Sequence, residues 1–317
     1  MKKFAGRICL VFGAVALMVI LLVIISGITH SKNLRMNSDD NQSKDQGVIQ
    51  IEDTRTSFAT NGEGVFDAFD DSYGVYIGAE PEELISRDLP EIIVIDAQYY
   101  TGEEISDLKE GGHRVYTYIN IGSVEAFRDY YKDFEAITLG AYENWEDEKW
   151  VDVSDERWQL FISDKADGLI GKGVDGFFVD NCDVYYNYST EEIFEGVRAI
   201  LKNLCEKNAY VMINGGDEFV REYLKLHGNL DGILDGILDG VNQESVYTAI
   251  DWENSTFSVN APEDREYFLD YIKLVKDAGK DAYAIEYTTD PQIAQKAKEL
   301  AAANGYMVYI ADSLGLE

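Results

Sequence analysis

The sequence predicts an α/β protein: a single (β/α)8 TIM barrel preceded by an N-terminal transmembrane helix and a flexible linker. Three observations lead to this prediction. Eight short β-rich runs alternate with amphipathic helical stretches, several of those runs are continuously apolar, and a long uncharged segment stands near the N-terminus. Alternation of buried parallel strands with helices is typical of α/β barrels.

The first predicted unit, residues 1–31, is a basic cytoplasmic tip followed by a signal-anchor helix. Lys2, Lys3 and Arg7 precede an uncharged run over residues 8–28. A helix of that length is about 30 Å long, which is the thickness of the hydrocarbon core of a bilayer. By the positive-inside rule we expect a single-pass protein of the cell membrane with its C-terminal domain outside. Cleavage of this segment as a signal would instead give a secreted protein.

Residues 32–65 form the second predicted unit, a flexible polar linker. The stretch has few large apolar residues and is rich in Asn, Asp, Ser and Gln, which is typical of segments that do not build a core. The third unit, residues 66–317, is about 250 residues long, and this is the usual length of one TIM barrel.

The third unit contains eight candidate strands, and several have consecutive apolar residues, as strands buried on both faces of a parallel sheet do. The candidates are residues 73–78, 92–97, 114–121, 173–180, 209–214, 240–243, 281–286 and 306–311. Amphipathic helices are clearest over residues 190–207, 262–278 and 290–304. A doubly wound open sheet is the rival architecture, but no glycine-rich phosphate-binding turn follows the first strand.

The formal net charge of −32 at pH 7 restricts the partners of the chain. Such a field repels nucleic acid and anionic glycans, and it would attract a cationic polymer. A second interpretation is that an acidic surface only keeps the protein soluble. We expect no nucleic-acid partner and a monomeric protein.

Polar side chains follow nearly every predicted strand. Because barrel enzymes place their chemistry at the carboxyl ends of the strands, these side chains are the candidates for a site. They are Asp96, Asn120, Asp180, Asn181, Asp183, Asn214, Gln243, Glu244, Glu286 and Tyr287, with Tyr118 inside the third strand and Glu125 and Asp152 in the long segment that follows it.

The residue types that are missing from the strand ends narrow the chemistry. None of His30, His113 and His227 follows a strand, which argues against a zinc cluster or a Ser-His triad. No lysine follows a strand, so a Schiff-base aldolase is not expected. Carboxylate chemistry remains, and glycoside hydrolysis needs two carboxyl groups. A magnesium site is the competing use of many carboxylates, but we expect neither a metal nor a cofactor.

Asp180 is the candidate that the residues themselves support best. It directly follows the apolar run 177–179, so it emerges from the predicted barrel core. Many of the 59 acidic residues must be solvated surface, and Asp96 could instead be the structural partner of an arginine. Glu244 follows a weaker strand, and for it a site role and a surface role are equally open.

Five segments carry a family resemblance in a fixed order: residues 118–131, 150–154, 173–185, 241–245 and 284–288. The most specific segment matches a GxxGFDGxxxDNxD-type motif at Gly171, Gly173, Asp175, Gly176, Asp180, Asn181 and Asp183. A second motif is matched by Gly122, Ser123, Glu125 and Arg128. On these residues the chain resembles glycoside hydrolase family 114, the endo-α-1,4-polygalactosaminidase-like barrels, over nearly all of residues 70–312.

The resemblance implies a (β/α)8 barrel with a retaining mechanism, in which Asp180 is the nucleophile and Glu244 the acid/base. It implies an α-1,4-linked galactosamine polysaccharide as substrate, which would be cationic when deacetylated. The substrate-binding residues are then expected to be Asp96, Tyr118, Glu125, Asp152, Asn181, Asp183, Asn214, Glu286 and Tyr287. The chain departs from the family pattern at Ser123, where many relatives have an acidic residue, and in a duplicated LDGI unit at 230–240.

Three alternatives stay open at this point. A catalytically silent barrel could bind extracellular polysaccharide without turnover. A glycosidase for another α-linked glycan would have the same carboxylates, because the shape of the subsites decides which glycan fits. A metal-dependent hydrolase would lose its activity in the presence of a chelator.

Overall fold

The computed structural model describes residues 72–142, 145–228, 232–251, 254 and 256–317. The predicted signal-anchor helix and the predicted linker lie outside these residues. Within the described part of the chain, no helix is both long enough and apolar enough to cross a bilayer.

The strands of the described residues are, in chain order, β1 (Tyr73–Tyr76), β2 (Ile92–Ile95), β3 (Arg114–Asn120), β4 (Ser123–Glu125), β5 (Thr138–Tyr142), β6 (Trp145–Val151), β7 (Gly176–Asp180), β8 (Tyr210–Asn214), β9 (Gly240–Glu244), β10 (Thr248–Asp251), β11 (Thr256–Val259), β12 (Asp281–Tyr287) and β13 (Met307–Ala311). The helices are α1 (Pro81–Leu84), α2 (Gly102–Glu110), α3 (Tyr131–Phe134), α4 (Glu156–Gly171), α5 (Val184–Asn187), α6 (Glu191–Cys205), α7 (Asp217–His227), α8 (Pro262–Asp277) and α9 (Pro291–Asn304).

Eight strands form one parallel sheet in the order β1-β2-β3-β7-β8-β9-β12-β13. The chain segments next to its two edge strands meet, because the N–H of Gly78 donates to the carbonyl of Leu316 at 3.0 Å. The rings of Tyr76 and Tyr309, on the edge strands themselves, pack with their centroids 5.4 Å apart. The predicted (β/α)8 barrel is therefore confirmed, and its strands are the eight predicted ones, with ends that shift by a few residues.

Burial on both faces explains why the barrel strands are continuously apolar. In β7, Phe178 belongs to the cluster that fills the barrel interior, together with Tyr118. Its neighbours Phe177 and Val179 belong to the layer between sheet and helices, where Val197 of α6 also lies. Full burial of one such side chain stabilises the fold by roughly 1.5–3 kcal/mol, so the side chains on both faces of the strand stabilise the barrel.

Capping residues set the ends of the helices. Thr101 and Glu104 form a reciprocal capping box at the start of α2, and Thr190 caps α6. Asp290 caps α9, which ends at Gly305 in the left-handed conformation with φ of 67°. Each of these side chains satisfies backbone N–H groups that would otherwise lack an acceptor, and this stabilises a helix by ~1 kcal/mol.

Two excursions from the barrel were not predicted. Between β3 and β7, strands β4, β6 and β5 form a three-stranded antiparallel sheet. Between β9 and β12, strands β10 and β11 form an antiparallel hairpin. Both excursions follow the carboxyl end of a barrel strand, so they extend from the face on which barrel enzymes place their active sites.

Candidate active site

Side-chain alternation along the strands brings three candidates into the mouth of the barrel. Asp180 ends β7, Asn214 ends β8 and Glu244 ends β9. Successive residues of a strand point to opposite faces, and Phe178 and Met212, two positions before the first two, lie in the interior apolar cluster. All three polar side chains are only 3% exposed, so they form the buried floor of the mouth.

The amide of Asn214 joins the two catalytic candidates. Its Nδ2 donates to Oδ1 of Asp180 at 3.1 Å and to Oε1 of Glu244 at 2.8 Å. These two oxygens can lie no farther apart than the sum of the two distances, roughly 6 Å, while the carboxyl groups of retaining glycosidases stand ~5–5.5 Å apart. The two carboxyl groups therefore meet in one pocket.

Two tyrosines hold the outer oxygens of the pair. The hydroxyl of Tyr118 donates to Oδ2 of Asp180 at 3.0 Å, and the hydroxyl of Tyr287 donates to Oε2 of Glu244 at 2.7 Å. Each carboxyl group thus accepts one bond from a tyrosine and one from the shared amide. The backbone N–H of Asn181 also lowers the pKa of Asp180 and has no counterpart at Glu244, so hydrogen bonding favours the ionised form somewhat more at Asp180.

A chain of side chains behind Asn214 fixes the orientation of its amide. Its Oδ1 accepts from Nδ2 of Asn242 at 2.7 Å, and Oδ1 of Asn242 accepts from the hydroxyl of Tyr73 at 3.1 Å. Because Oδ1 is occupied as an acceptor, Nδ2 of Asn214 must face the carboxyl pair. Sequence reasoning missed Asn242 and Tyr73, although Asn242 lies two residues before Glu244 and therefore on the same strand face.

Burial controls the ionisation of the pair. It raises the pKa of Asp180 to about 7, where the bond from Asn214 opposes the shift and the nearby Glu244 adds to it. Burial also raises the pKa of Glu244, against the bonds from Asn214 and Tyr287. Because each charge disfavours the other, the two groups titrate as a coupled pair that retains a proton well above the usual carboxylic range.

A second buried network surrounds Glu148, which strand-end reasoning did not select. Glu148 lies on β6 and is 6% exposed. Its Oε1 accepts from Nδ2 of Asn120 at 3.2 Å, from Nδ2 of Asn181 at 3.4 Å and from Oγ of Ser123. Burial raises the pKa of Glu148 to about 8. Nothing in the local sequence of the excursion identifies this residue as a partner of the strand ends.

Asn181 turns away from the pair and into this second network. It has a left-handed backbone with φ of 63°, and its Oδ1 accepts from the hydroxyl of Tyr142 at 3.1 Å. The turn brings its carbonyl against Gly122, where a β-carbon would collide with that oxygen. The glycine of the second motif therefore allows the two strand ends to approach each other. Direct substrate contact by Asn181 stays a prediction.

Asp183 lies beside the mouth, against the loop that follows β8. Its Oδ1 accepts from the N–H of Gly216 at 3.3 Å. Burial raises the pKa of its carboxyl group to about 8, and the charges of Asp217 and Asp180 add to the shift. The side chain is half-buried by surface area. Its role in substrate binding stays a prediction.

Asp96 and Glu125 lie beside an arginine. Glu125 accepts two bonds from Arg128, at 3.1 and 3.0 Å. Oδ1 of Asp96 accepts from the backbone and the side chain of Gln98 at 3.1 and 2.9 Å. Burial raises the pKa of Asp96, and the charge of Arg128 opposes the shift. The structure thus gives both carboxylates protein partners, and their predicted contact with substrate stays a prediction.

The carboxylates of Asp152 and Glu286 accept hydrogen bonds from backbone N–H groups. Oδ1 of Asp152 accepts from the N–H and the hydroxyl of Ser154 at 3.0 and 2.6 Å, within the turn that precedes α4. The carboxylate of Glu286 is 0% exposed and accepts from the N–H groups of Tyr247 and Thr248, both at 2.8 Å, and from the Thr248 hydroxyl at 2.6 Å. In this structure Glu286 anchors the β10–β11 hairpin.

Glu286 and Tyr287 occupy opposite faces of β12. Tyr287 packs in the barrel interior and reaches Glu244, so the preceding residue must point outward. The sequence predicts a substrate-binding role for both, as residues at the end of one strand, and this role stays a prediction. Among the residues that the structure describes, no three or more His, Cys, Asp or Glu side chains are grouped so that they could hold a metal ion.

Comparisons with known proteins agree with this architecture. The solved glycoside hydrolase domain of PelA from Pseudomonas aeruginosa is similar, with a TM-score of 0.60 and 20% identity over 78% of this chain and 96% of that one. Aspergillus fumigatus Ega3, solved in complex with galactosamine, gives a TM-score of 0.60 and 17% identity over 78% of this chain and 93% of that one. At these identities the likeness shows the fold.

A curated relative extends the comparison at the level of sequence. An uncharacterised protein of Deinococcus radiodurans is 25% identical over 210 residues, which are 63% of this chain and 65% of the relative. The chain therefore matches slightly less than two thirds of the length of that protein. The model of the glycoside-hydrolase family GH114 matches residues 72–313. Since this match covers well over half of the sequence and the whole barrel, the chain belongs to glycoside-hydrolase family GH114.

Proposed function

We propose that this protein is a retaining glycoside hydrolase that cleaves α-1,4-linked, galactosamine-containing polysaccharide outside the cell. The observation that carries the proposal is the buried carboxyl pair of Asp180 and Glu244, bridged by the amide of Asn214. A separation of at most roughly 6 Å between the bridged oxygens suits direct attack on the sugar, whereas inverting enzymes leave ~6.5–9.5 Å for a water molecule.

In the first step Asp180 attacks the anomeric carbon as a carboxylate, and the bond to the leaving glycosidic oxygen breaks. Glu244, protonated, transfers its proton to that oxygen, so a covalent glycosyl-aspartate and a shortened polymer result. The raised pKa of Glu244 supports this role, because burial favours the protonated form of its carboxyl group. The hydroxyl of Tyr118 and the amide of Asn214 orient the carboxylate of Asp180 for attack.

In the second step Glu244, now ionised, removes a proton from water. The resulting nucleophile attacks the anomeric carbon, the bond to Asp180 breaks, and the sugar leaves with its configuration retained. Asn214 contacts both carboxyl groups, so it stabilises whichever of them is charged in each step. The division of roles between aspartate and glutamate rests on the family resemblance, and the backbone N–H of Asn181, which lowers the pKa of Asp180 alone, supports it.

Two observations support galactosamine as the sugar. Ega3, which has a similar fold, was solved in complex with galactosamine. The net charge of −32 at pH 7 attracts a polymer that carries ammonium groups and repels anionic glycans. We infer that the preferred substrate is a deacetylated or partly deacetylated polymer.

We further propose that residues 1–31 anchor the protein in the cell membrane and that the linker of residues 32–65 tethers the barrel outside. The basic tip and the uncharged run support this proposal. Fractionation of cells that express the full chain should recover it with membranes, and protease added to intact cells should remove the barrel. Recovery of the protein in the cytoplasm would contradict the proposal.

The catalytic proposal is tested with the full chain and a partly deacetylated α-1,4-galactosamine polymer. Wild-type protein should release oligosaccharides, and Asp180→Asn and Glu244→Gln should each lower the rate by ~10³-fold or more. Proton NMR of the newly formed reducing ends should show the α anomer first. Asp147→Asn, which removes an exposed carboxylate from β6, is the matched control and should keep full activity.

Each alternative has its own outcome in this experiment. Glycan binding without turnover, unaffected by Asp180→Asn, would indicate a silent binding barrel. Turnover of another α-linked glycan only would replace the substrate and leave the catalytic pair in place. The β anomer as first product would overturn the retaining mechanism, and undiminished release by Asp180→Asn would overturn the assignment of the nucleophile.

A further inference from the structure

Glu148 places a third buried carboxyl group next to the catalytic pair. It comes from the excursion between β3 and β7, yet its carboxyl group reaches Asn120 at the end of one barrel strand and Asn181 directly after Asp180. It is 6% exposed. Burial of a carboxyl group is energetically costly unless the group is fully hydrogen-bonded or has a function.

The protein donors converge on only one of its two oxygens. Oε1 accepts from Asn120, Asn181 and the hydroxyl of Ser123. No donor from the described residues reaches Oε2, and this oxygen keeps some contact with solvent. The carboxyl group is thus held rigidly by one oxygen while the other is available to a ligand.

The charges around Glu148 favour a cation at that oxygen. Glu125 on β4 and Asp180 on β7 both act on its titration, and Arg128 is already engaged in two bonds with Glu125. Tyr142 on β5 contributes only a hydroxyl, which is directed to Asn181. A ligand that brings its own positive charge would relieve the repulsion between these carboxyl groups.

We propose that Glu148 is a specificity-determining residue, whose free oxygen accepts a hydrogen bond from the ammonium group of an amino sugar bound in the pocket. The inference rests on the proposed function, because the ligand is a unit of the same polysaccharide. An N-acetylated unit has no ammonium group and would place an acetyl group against a buried carboxyl group. Glu148 is thus the residue through which the site distinguishes a deacetylated unit from an N-acetylated one.

Binding of the ammonium group is linked to a proton. Burial holds the pKa of Glu148 at about 8, so the carboxyl group is neutral in the free protein at neutral pH. When an ammonium group binds, the O–H bond of Glu148 breaks, the carboxylate forms an ion pair with the ligand, and the proton leaves to solvent. The charge-assisted bond is stronger than a neutral one.

The test compares the full-length wild type with Glu148→Gln and the control Asp147→Asn. Titration calorimetry measures binding of a galactosamine oligosaccharide and of its N-acetylated counterpart, near pH 6, where the free amine is protonated. Buffers of different ionisation enthalpy report the protons that are released. Wild type and Asp147→Asn should prefer the amino sugar and release a proton. Glu148→Gln should lose about tenfold in affinity for the amino sugar alone.

The outcomes separate this inference from the catalytic proposal. If Glu148→Gln keeps the preference and the proton release, the inference is wrong, whatever the turnover of the wild type. An equal loss on both sugars would also overturn it, since that result indicates a structural role. A wild type that binds neither sugar would overturn both proposals. If Glu148→Gln does not fold, Glu148→Asp replaces it: the shorter side chain should lower the preference severalfold, and an unchanged ratio would contradict the inference.

Discussion

Asn214 is the residue on which the geometry of the carboxyl pair depends most directly. One amide nitrogen serves both groups, and its orientation is enforced by Asn242, whose own orientation depends on Tyr73. A side chain held by such a chain loses little entropy when substrate binds, which is how barrel enzymes keep reacting groups in place. The three residues come from strands β8, β9 and β1.

We expect Asn214→Ala to lower kcat by roughly 10²-fold and to move the alkaline limb of the pH–rate profile to higher pH. The bond from Asn214 lowers the pKa of both Asp180 and Glu244, so its loss lets burial raise both values further. The profile of kcat/KM against pH measures the shift. Tyr73→Phe should leave the limb in place, because its hydroxyl reaches the pair only through two asparagines. A limb that moves to lower pH in Asn214→Ala would contradict the account.

At the scale of elements, helix α6 packs closely on the turn that follows the excursion. Its Gly196 lies against the backbone of Val153 and Ser154, shortly after the end of β6. A β-carbon at Gly196 would lie 2.6 Å from the carbonyl oxygen of Val153 and 2.8 Å from the nitrogen of Ser154. Because Gly196 has no side chain, the helix and the turn can touch. This contact offsets the destabilising effect that glycine usually has inside a helix.

Two glycine-to-alanine changes in neighbouring helices should have opposite effects. Gly196→Ala should destabilise the fold by about 1–3 kcal/mol, because backbone atoms must shift to admit the methyl group. Gly168→Ala in α4 should stabilise it by about 0.5–1 kcal/mol, because nothing lies within 4 Å of the added carbon and alanine favours the helix. Denaturant unfolding measures both, and stabilisation by Gly196→Ala would show that the contact is not tight.

At the scale of the whole molecule, several buried carboxyl groups have a pKa that is raised by burial. The values are about 7 for Asp180 and Glu286 and about 8 for Glu148 and Asp183. In the unfolded chain such groups titrate near pH 4. The folded protein therefore binds more protons than the unfolded chain between these limits, and its stability falls as pH rises through them.

We expect the melting temperature to fall by roughly 5–10 °C between pH 5 and pH 8.5. The dependence should be shallower in Asp183→Asn, which removes one of the raised groups. Added salt at pH 8 screens the repulsion that arises from the net charge of −32, and it should recover only the part of the loss due to that repulsion. Scanning calorimetry at fixed protein concentration measures the melting temperature of wild type and variant at each pH and salt concentration. A melting temperature that rises with pH would contradict the assignment of neutral buried acids.

The sequence by itself determined the barrel and the position of most of the site. Continuous apolar runs such as that before Asp180 report burial on both strand faces, and this pattern is local, so it can be read along the chain. Strand ends of a parallel barrel must meet on one face, and this placed Asp180, Asn214 and Glu244 together. The resemblance to the family then supplied the roles that are proposed for Asp180 and Glu244.

Only the tertiary structure decided which side chains face each other. Glu286 and Tyr287 are neighbours on β12, and barrel closure gave the interior to the tyrosine and left the glutamate to anchor a hairpin. Glu148 reached the mouth because β6 folds back over the strand ends. Such contacts join residues far apart in sequence, and their energy depends on burial and on the direction of single bonds, which residue order does not encode locally.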